Sequence, residues 1–168
     1  EVAALAAFVP TEDDEPETIE QALAGTRAML AFYIGGMGAK GQNYHTKLAA
    51  RMGLGEQAEK IQDLFFEGKA DQAVYEVPVE FADEISLVGT PARLADRVVA
   101  WKDSAVTEIL VHAGSPDLLR QAAEIVLPAD LTPERARAAK GVLLSGSPWS
   151  AYQPGAPTLD PAVLRAGT

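Results

Sequence analysis

The chain has 168 residues, with 24 acidic against 14 basic side chains, a formal charge of −10 and no cysteine. That length suffices for one domain with a buried core. The acidic balance repels phosphate backbones and argues against nucleic acid as a partner, while the missing thiols exclude disulfides, thiolate catalysis and cysteine-held metal and fit a reducing cytoplasm.

No apolar run approaches the ~20 residues that span a bilayer, so no membrane partner is expected. Residues 1–9 are apolar but short, lack a basic leader and turn acidic at Glu12, which does not read as a signal peptide. A first residue of Glu1 rather than Met fits a fragment or a processed product. Val2–Val9 reads as a buried strand, ended by Pro10 and the acidic turn Thr11–Glu15. Pro16 then suits a first helical position. Ile19, Leu23, Leu30 and Tyr33, with Ala22 and Met29 beside them, keep helical spacing up to a break at Gly35.

Further helices are expected over Asn43–Met52, stopped by Gly53 and Gly55, and over Glu56–Phe66, where Ile61, Leu64 and Phe65 form the apolar face before Gly68. Ala70–Tyr75 continues helically until Val77–Pro78, and Pro78–Ile85 is a short helix leading into Leu87–Val88–Gly89. Thr90–Pro91 has N-cap and first-position chemistry for a helix over Pro91–Ser104, with Leu94, Val98 and Trp101 on one side. Val106–His112 reads as a strand rich in branched residues, and Ser115-Pro116-Asp117 opens a helix through Val126. Strand, long helical excursion, strand, helix is the βα alternation of a parallel sheet.

The character changes after Val126. A capped helix over Asp130–Ala138 and a short strand over Gly141–Leu144 precede Ser145–Thr168, a stretch rich in Gly, Pro and Ser with at most one short helix at Pro161–Ala166. No 20–50-residue repeat is visible.

The densest chemistry lies in Ala31–Arg51. Gly35, Gly36 and Gly38 let backbone bend or approach a ligand closely. Lys40, Gln42, Asn43, Tyr44 and His45 follow as donors beside a helix start, where an anionic group is favoured, with Lys40 and Arg51 as charge partners. The spacing is not that of a P-loop. The bland alternative is a pliant helix–helix connection with a solvated lysine. His45 and His112 are the two histidines: the first reads as a helix-surface residue, the second as a structural hydrogen-bonder at the end of a strand. With no third histidine and no HExxH pattern, no metal site is expected. The acidic runs Glu12–Glu17 and Asp83–Glu84 read as caps and solvated surface, and Trp101 as core.

The stretches FYIGGMGAKGQNYH, AEKIQDLFFEGK and DEISLVGTPARLADRVVAW…VTEILV, in that order, resemble the C-terminal part of the luciferase-like flavin and deazaflavin monooxygenases and oxidoreductases, in particular the branch that uses coenzyme F420. The resemblance covers residues 1–126. It implies a TIM barrel, with Val2–Val9 as its seventh strand and Val106–His112 as its eighth; a complete barrel needs ~200–250 residues, so this chain holds about the last quarter. The implied activity is hydride transfer between coenzyme F420, or alternatively FMN, and an organic substrate, with the protein positioning the cofactor. The implied cofactor-binding residues are Gly35, Gly36, Gly38, Lys40 and Arg51, near the phosphate-bearing tail. Arg93 and Arg97 are secondary candidates, because in this family an Arg shortly after such a helix cap can face the coenzyme phosphate. The competing reading of both arginines is a helix face paired with Asp96 or Asp103.

A second resemblance covers residues 127–168. LPADLTPERARAAKGVLLSGSPWSAYQPGAPTLDPAVLRAG is similar to the glutamine amidotransferase domain of GMP synthase, where a Ser-Gly-Gly-Pro turn helps form an oxyanion hole. Here the turn is Ser145-Gly146-Ser147-Pro148, and the family's nucleophilic cysteine, histidine and glutamate are absent. The junction near Glu124–Ala129 fits a fusion, a rearranged reading frame or an engineered join. The expectation is therefore a helix-rich α/β protein, a partial barrel with a short parallel sheet of Val2–Val9, Val106–His112 and Gly141–Leu144. It reads as an oxidoreductase segment incomplete as a catalyst. Two alternatives stand beside it: an assembly piece whose exposed barrel edge pairs with another subunit as a homo-oligomer, and a truncated amidotransferase.

Overall fold

The apolar run that opens the chain is a strand. In the computed structural model, which describes residues 2–112 and 114–126, β1 spans Ala3–Pro10 and is followed by α1 (Pro16–Ala22), α2 (Ala24–Ala31), α3 (Tyr44–Ala49), α4 (Gly55–Phe66), α5 (Ala70–Tyr75) and α6 (Val79–Glu84). Then come β2 (Leu87–Gly89), α7 (Pro91–Lys102), β3 (Glu108–His112) and α8 (Pro116–Val126). Two further segments, Phe32–Gly36 and Ala50–Leu54, are wound as π-helix. No helix among the described residues is long and apolar enough to cross a membrane.

The chain divides into two units, one built from the residues up to Glu15 and from Leu87 onward, the other from Pro16–Ser86. The first contains a three-stranded parallel sheet in the order β2-β1-β3. β1 is shared end to end: Ala3–Ala7 lie against Glu108–His112, and Phe8–Pro10 against Leu87–Gly89. Alternation along the strands sends Ala6, Phe8, Ile109 and Val111 to one face. There they are buried with Leu87, Leu94, Val98 and Ala122, and Trp101, Val106, Leu118 and Ile125 pack against them. Leu94, Val98 and Trp101 thus lie on one side of α7, as their spacing requires. α7 begins where expected: the Thr90 hydroxyl accepts the Arg93 N–H at 3.4 Å, and Pro91 needs no partner at the first turn.

The second unit is all helical. Ala31, Ile34, Ala49, Ala58, Ile61, Ala73 and Val77 form its core, with Leu30, Leu54, Leu64, Phe65, Val74 and Phe81 against it. Four of those seven are alanines, whose small side chains let short helices approach closely. Arg27 is buried there at 6 % exposure. Its guanidinium donates to the carbonyls of Tyr75 and Val77, both at 3.0 Å, and pairs with Glu20 at 2.7 Å. The Tyr75 carbonyl ends α5 and that of Val77 lies two residues beyond it, and a buried charge is tolerable because every arm has an acceptor.

Several expectations need correction. The continuous helix from Pro16 to Gly35 is interrupted after Ala22 and ends in the π-wound Phe32–Gly36. Along it, Tyr33 and Met29 are exposed at 37 % and 41 %. The helix over Asn43–Met52 is α-helical only to Ala49, and Gly53, at φ 90°, breaks the winding that follows. Leu87–Gly89 is a strand that periodicity missed, since three residues carry no alternation. The elements expected at Asp130–Ala138, Gly141–Leu144 and Pro161–Ala166, and the whole amidotransferase-like stretch, lie outside the described residues.

Candidate functional site

The glycine-rich turn is held by buried polar side chains. Asn43, 1 % exposed, donates from Nδ2 to the carbonyls of Tyr33 (2.9 Å) and Ile34 (2.8 Å), while its Oδ1 accepts the His45 N–H at 2.8 Å and caps α3. The Thr46 hydroxyl donates to the Ile34 carbonyl at 2.6 Å and accepts from Gln62 Nε2 at 3.1 Å. Gln62 Oε1 in turn accepts the Gly41 N–H at 3.2 Å. A π turn leaves carbonyls without their ordinary helical partners, and Asn43 and Thr46 supply those partners.

The glycines here answer to packing. A Cβ on Gly35 would overlap the Phe65 ring, 2.8 Å from its Cγ, and one on Gly36 would meet Phe65 and Phe32 at 3.1 and 3.2 Å. Gly38 adopts φ +141°, where an L side chain is strained, and a Cβ there would sit 3.3 Å from Asn43 Cα. The space beside the buried Gly35 is filled by the Phe65 ring, while Gly36 is exposed. Lys40 is 64 % exposed and pairs with Asp63 at 2.5 Å. That hydrogen bond and the Asp63 charge hold its ammonium above its ordinary pKa. Arg51 is exposed and makes none of the described ion pairs.

Arg93 belongs to the first unit, at the C-terminal ends of β1 and β2. Its guanidinium donates to the Val88 carbonyl at 2.7 Å. Asp14 accepts both the N–H (2.9 Å) and the hydroxyl (2.8 Å) of Thr90 there. The Thr90 N–H first, then its hydroxyl and the Arg93 charge, lower the Asp14 pKa against the opposing effect of desolvation. A carboxylate of the chain itself therefore stands at the start of α7, where an external anion would be favoured. Gly89, at φ +133°, leaves room for this: a Cβ would lie 2.6 Å from Arg93 Cδ and 2.9 Å from Asp14 Oδ1. Arg97 is half-buried on the same helix. Sequence reasoning singled out Arg93 but read Asp14 only as part of an acidic cap region; the signal was an acidic turn closing one strand and a Thr-Pro cap opening a distant helix.

His45 is half-buried, its ring 4.9 Å from that of Tyr33 and 5.5 Å from that of Tyr44, and Phe32 stands 5.9 Å from Tyr33. His112 is exposed at the end of β3. Among the described residues no three of His, Cys, Asp and Glu gather where they could hold a metal.

The class these observations define is a helix-rich α/β protein whose parallel strands end in a capped turn. The sequence is similar to one from Mycobacterium tuberculosis, provisionally named a coenzyme F420-dependent oxidoreductase: 33% of residues are identical over 126 positions, which is 75% of this chain and 35% of the relative. The chain thus spans about a third of that relative's length. No family model matches the chain, and no solved structure matches it.

F420 and FMN both carry a phosphate-bearing, anionic tail. At Gly35 the side-chain direction is filled by the Phe65 ring and the Gly41 N–H is engaged by Gln62, while Gly36 and Gly38 are exposed. Cationic side chains are present at Lys40, facing Asp63, and at Arg51 in the helical unit, and at Arg93 in the sheet unit.

Proposed function

We propose that the chain is a segment of a luciferase-like oxidoreductase that uses coenzyme F420, with FMN as the alternative, and that it contributes closing βα units of a barrel. One observation carries this reading: the 33% identity over 126 residues to a relative named for F420-dependent oxidoreduction. The parallel order β2-β1-β3, with a crossover through Pro16–Ser86, supports it, because a barrel is built from parallel strands joined that way. When bound, the deazaflavin supplies the hydride chemistry. This segment is assigned no step of it. Within the helical unit the candidates for contact with the anionic tail are Gly35, Gly36, Gly38, Lys40 and Arg51; within the sheet unit, taken by itself, the candidate is Arg93.

The test is titration of F420 and of FMN, followed by their own absorbance and fluorescence, into the longest natural polypeptide that contains these residues. Saturable F420 binding, weakened by Lys40→Gln or Arg93→Gln, is expected. Absence of binding to either cofactor overturns the reading.

A second reading, an assembly piece, is favoured by the exposure of Leu5 (58 %) on a strand whose other face builds a core. Parallel sheets are ordinarily covered on both faces. Concentration-dependent association without cofactor binding is the result it requires.

A further inference from the structure

We propose that residues 37–42 form a strap latched to α4 by charge, which lifts when Lys40 and the Gly41 N–H exchange Asp63 and Gln62 for a competing anion. This deepens the oxidoreductase reading, on which it rests for Lys40 as an anion contact, and no cofactor enters its test, so the two can fail separately.

The two ends of the strap are fixed and its middle is not. On one side the Tyr33 and Ile34 carbonyls are pinned by Asn43, which itself forms the other end and is almost wholly buried. Between them every residue from Gly36 to Gln42 is exposed. Gly38 and Gly41, at φ +141° and +76°, bracket Ala39 and Lys40 and adopt backbone conformations through which glycine moves at little cost.

Two bonds tie this middle to α4: the Lys40–Asp63 pair at 2.5 Å and the Gly41 N–H to Gln62 Oε1 at 3.2 Å. The receiving side is rigid, since Gln62 is 4 % exposed and also donates to Thr46. The ion pair is open to solvent at both ends, 64 % and 51 % exposed, so it is weak and screened by salt. Glu59 and Glu67 add to the field on Lys40, which keeps its charge directed at α4. Lifting the strap frees one ammonium and one backbone N–H together, a donor pair suited to a phosphate or carboxylate.

Amide hydrogen exchange at Gly41 in the full 168-residue chain tests this. Its N–H is bonded to Gln62 while the strap is latched, whereas the Gln42 N–H bonds to the Ala39 carbonyl inside the strap and serves as a local reference. Asp63→Asn and Lys40→Gln are expected to speed Gly41 exchange about two- to fivefold, the range of an exposed ion pair, with the amides inside α4 unchanged. High salt is expected to do the same to the wild type and little to either variant. Pyrophosphate at constant ionic strength, taking the Gly41 N–H in place of Gln62, should shift the Gly41 amide resonance in the wild type but not in Lys40→Gln. Exchange at Gly41 that is indifferent to both substitutions and to salt overturns the latch, as does acceleration spread evenly through α4, and a Gly41 resonance indifferent to pyrophosphate overturns the exchange for an anion.

Discussion

Asp14 and Thr90, 76 positions apart in sequence, are joined by two hydrogen bonds, the carboxylate accepting the threonine N–H at 2.9 Å and its hydroxyl at 2.8 Å. The loop after β1 is thereby fastened to the residue that caps α7. Because the folded chain lowers the Asp14 pKa, the contribution is present above the ordinary carboxylate value of about 3.9 and is lost as pH falls through the lowered folded value. Asp14→Asn should therefore melt below the wild type near neutral pH, with the gap closing in acid. A gap in Tm that does not vary between pH 7 and pH 2.5 would count against this account.

Gly35 and Gly25 make a matched pair. A Cβ at Gly35 overlaps the Phe65 ring, whereas one at Gly25 meets nothing within 4 Å. Gly35→Ala is expected to destabilise by about 1–3 kcal/mol, the cost of overpacking, and Gly25→Ala to stabilise by about 0.5–1 kcal/mol by lowering unfolded-state entropy in a helix. Urea denaturation of the two variants decides it. A smaller side chain at Phe65, as in Phe65→Leu, should recover part of the Gly35→Ala loss.

Asn43 serves three backbone groups with one side chain. Asn43→Ala removes the α3 cap and leaves the Tyr33 and Ile34 carbonyls short of a donor, a loss of about 1–3 kcal/mol. Asn43→Asp should be no better, since it keeps the cap acceptor but faces two carbonyls with a negative charge. Chemical denaturation of both variants, with Asn43→Asp clearly the more stable as the contrary outcome, checks this.

Arg27 spreads its donors over the Tyr75 and Val77 carbonyls and Glu20, a fork that a lysine does not reproduce. Arg27→Lys is expected to lose about 1–3 kcal/mol although it conserves charge. Glu20→Gln should lose much less, since the Glu20 side chain is 53 % exposed. Equal losses in thermal melts would show that the ion pair, not the carbonyl bonds, is what matters.

Local pattern determined much of this protein. The apolar opening run, the Thr90–Pro91 cap, the face of Leu94, Val98 and Trp101, and the face of Ile61, Leu64 and Phe65 each depend on spacing within one element, and each is found in the structure. The position of the glycine-rich turn was legible for the same reason. Its use was not. Gly35 reads equally well as a ligand's approach or as room for a ring, and only the placement of Phe65, thirty residues on in the chain, decides for packing. Leu87–Gly89 is a strand because Phe8–Pro10 lies beside it, a pairing that three residues cannot announce. Lys40 and Arg93 look alike in sequence as candidate anion partners, but tertiary structure sets Asp63 against the one and seats Asp14 at the cap beside the other. Periodicity and capping are short-range and can be read along the chain; the partner of a charge and the occupant of a glycine's free space come from distant residues and are decided only when the chain is folded.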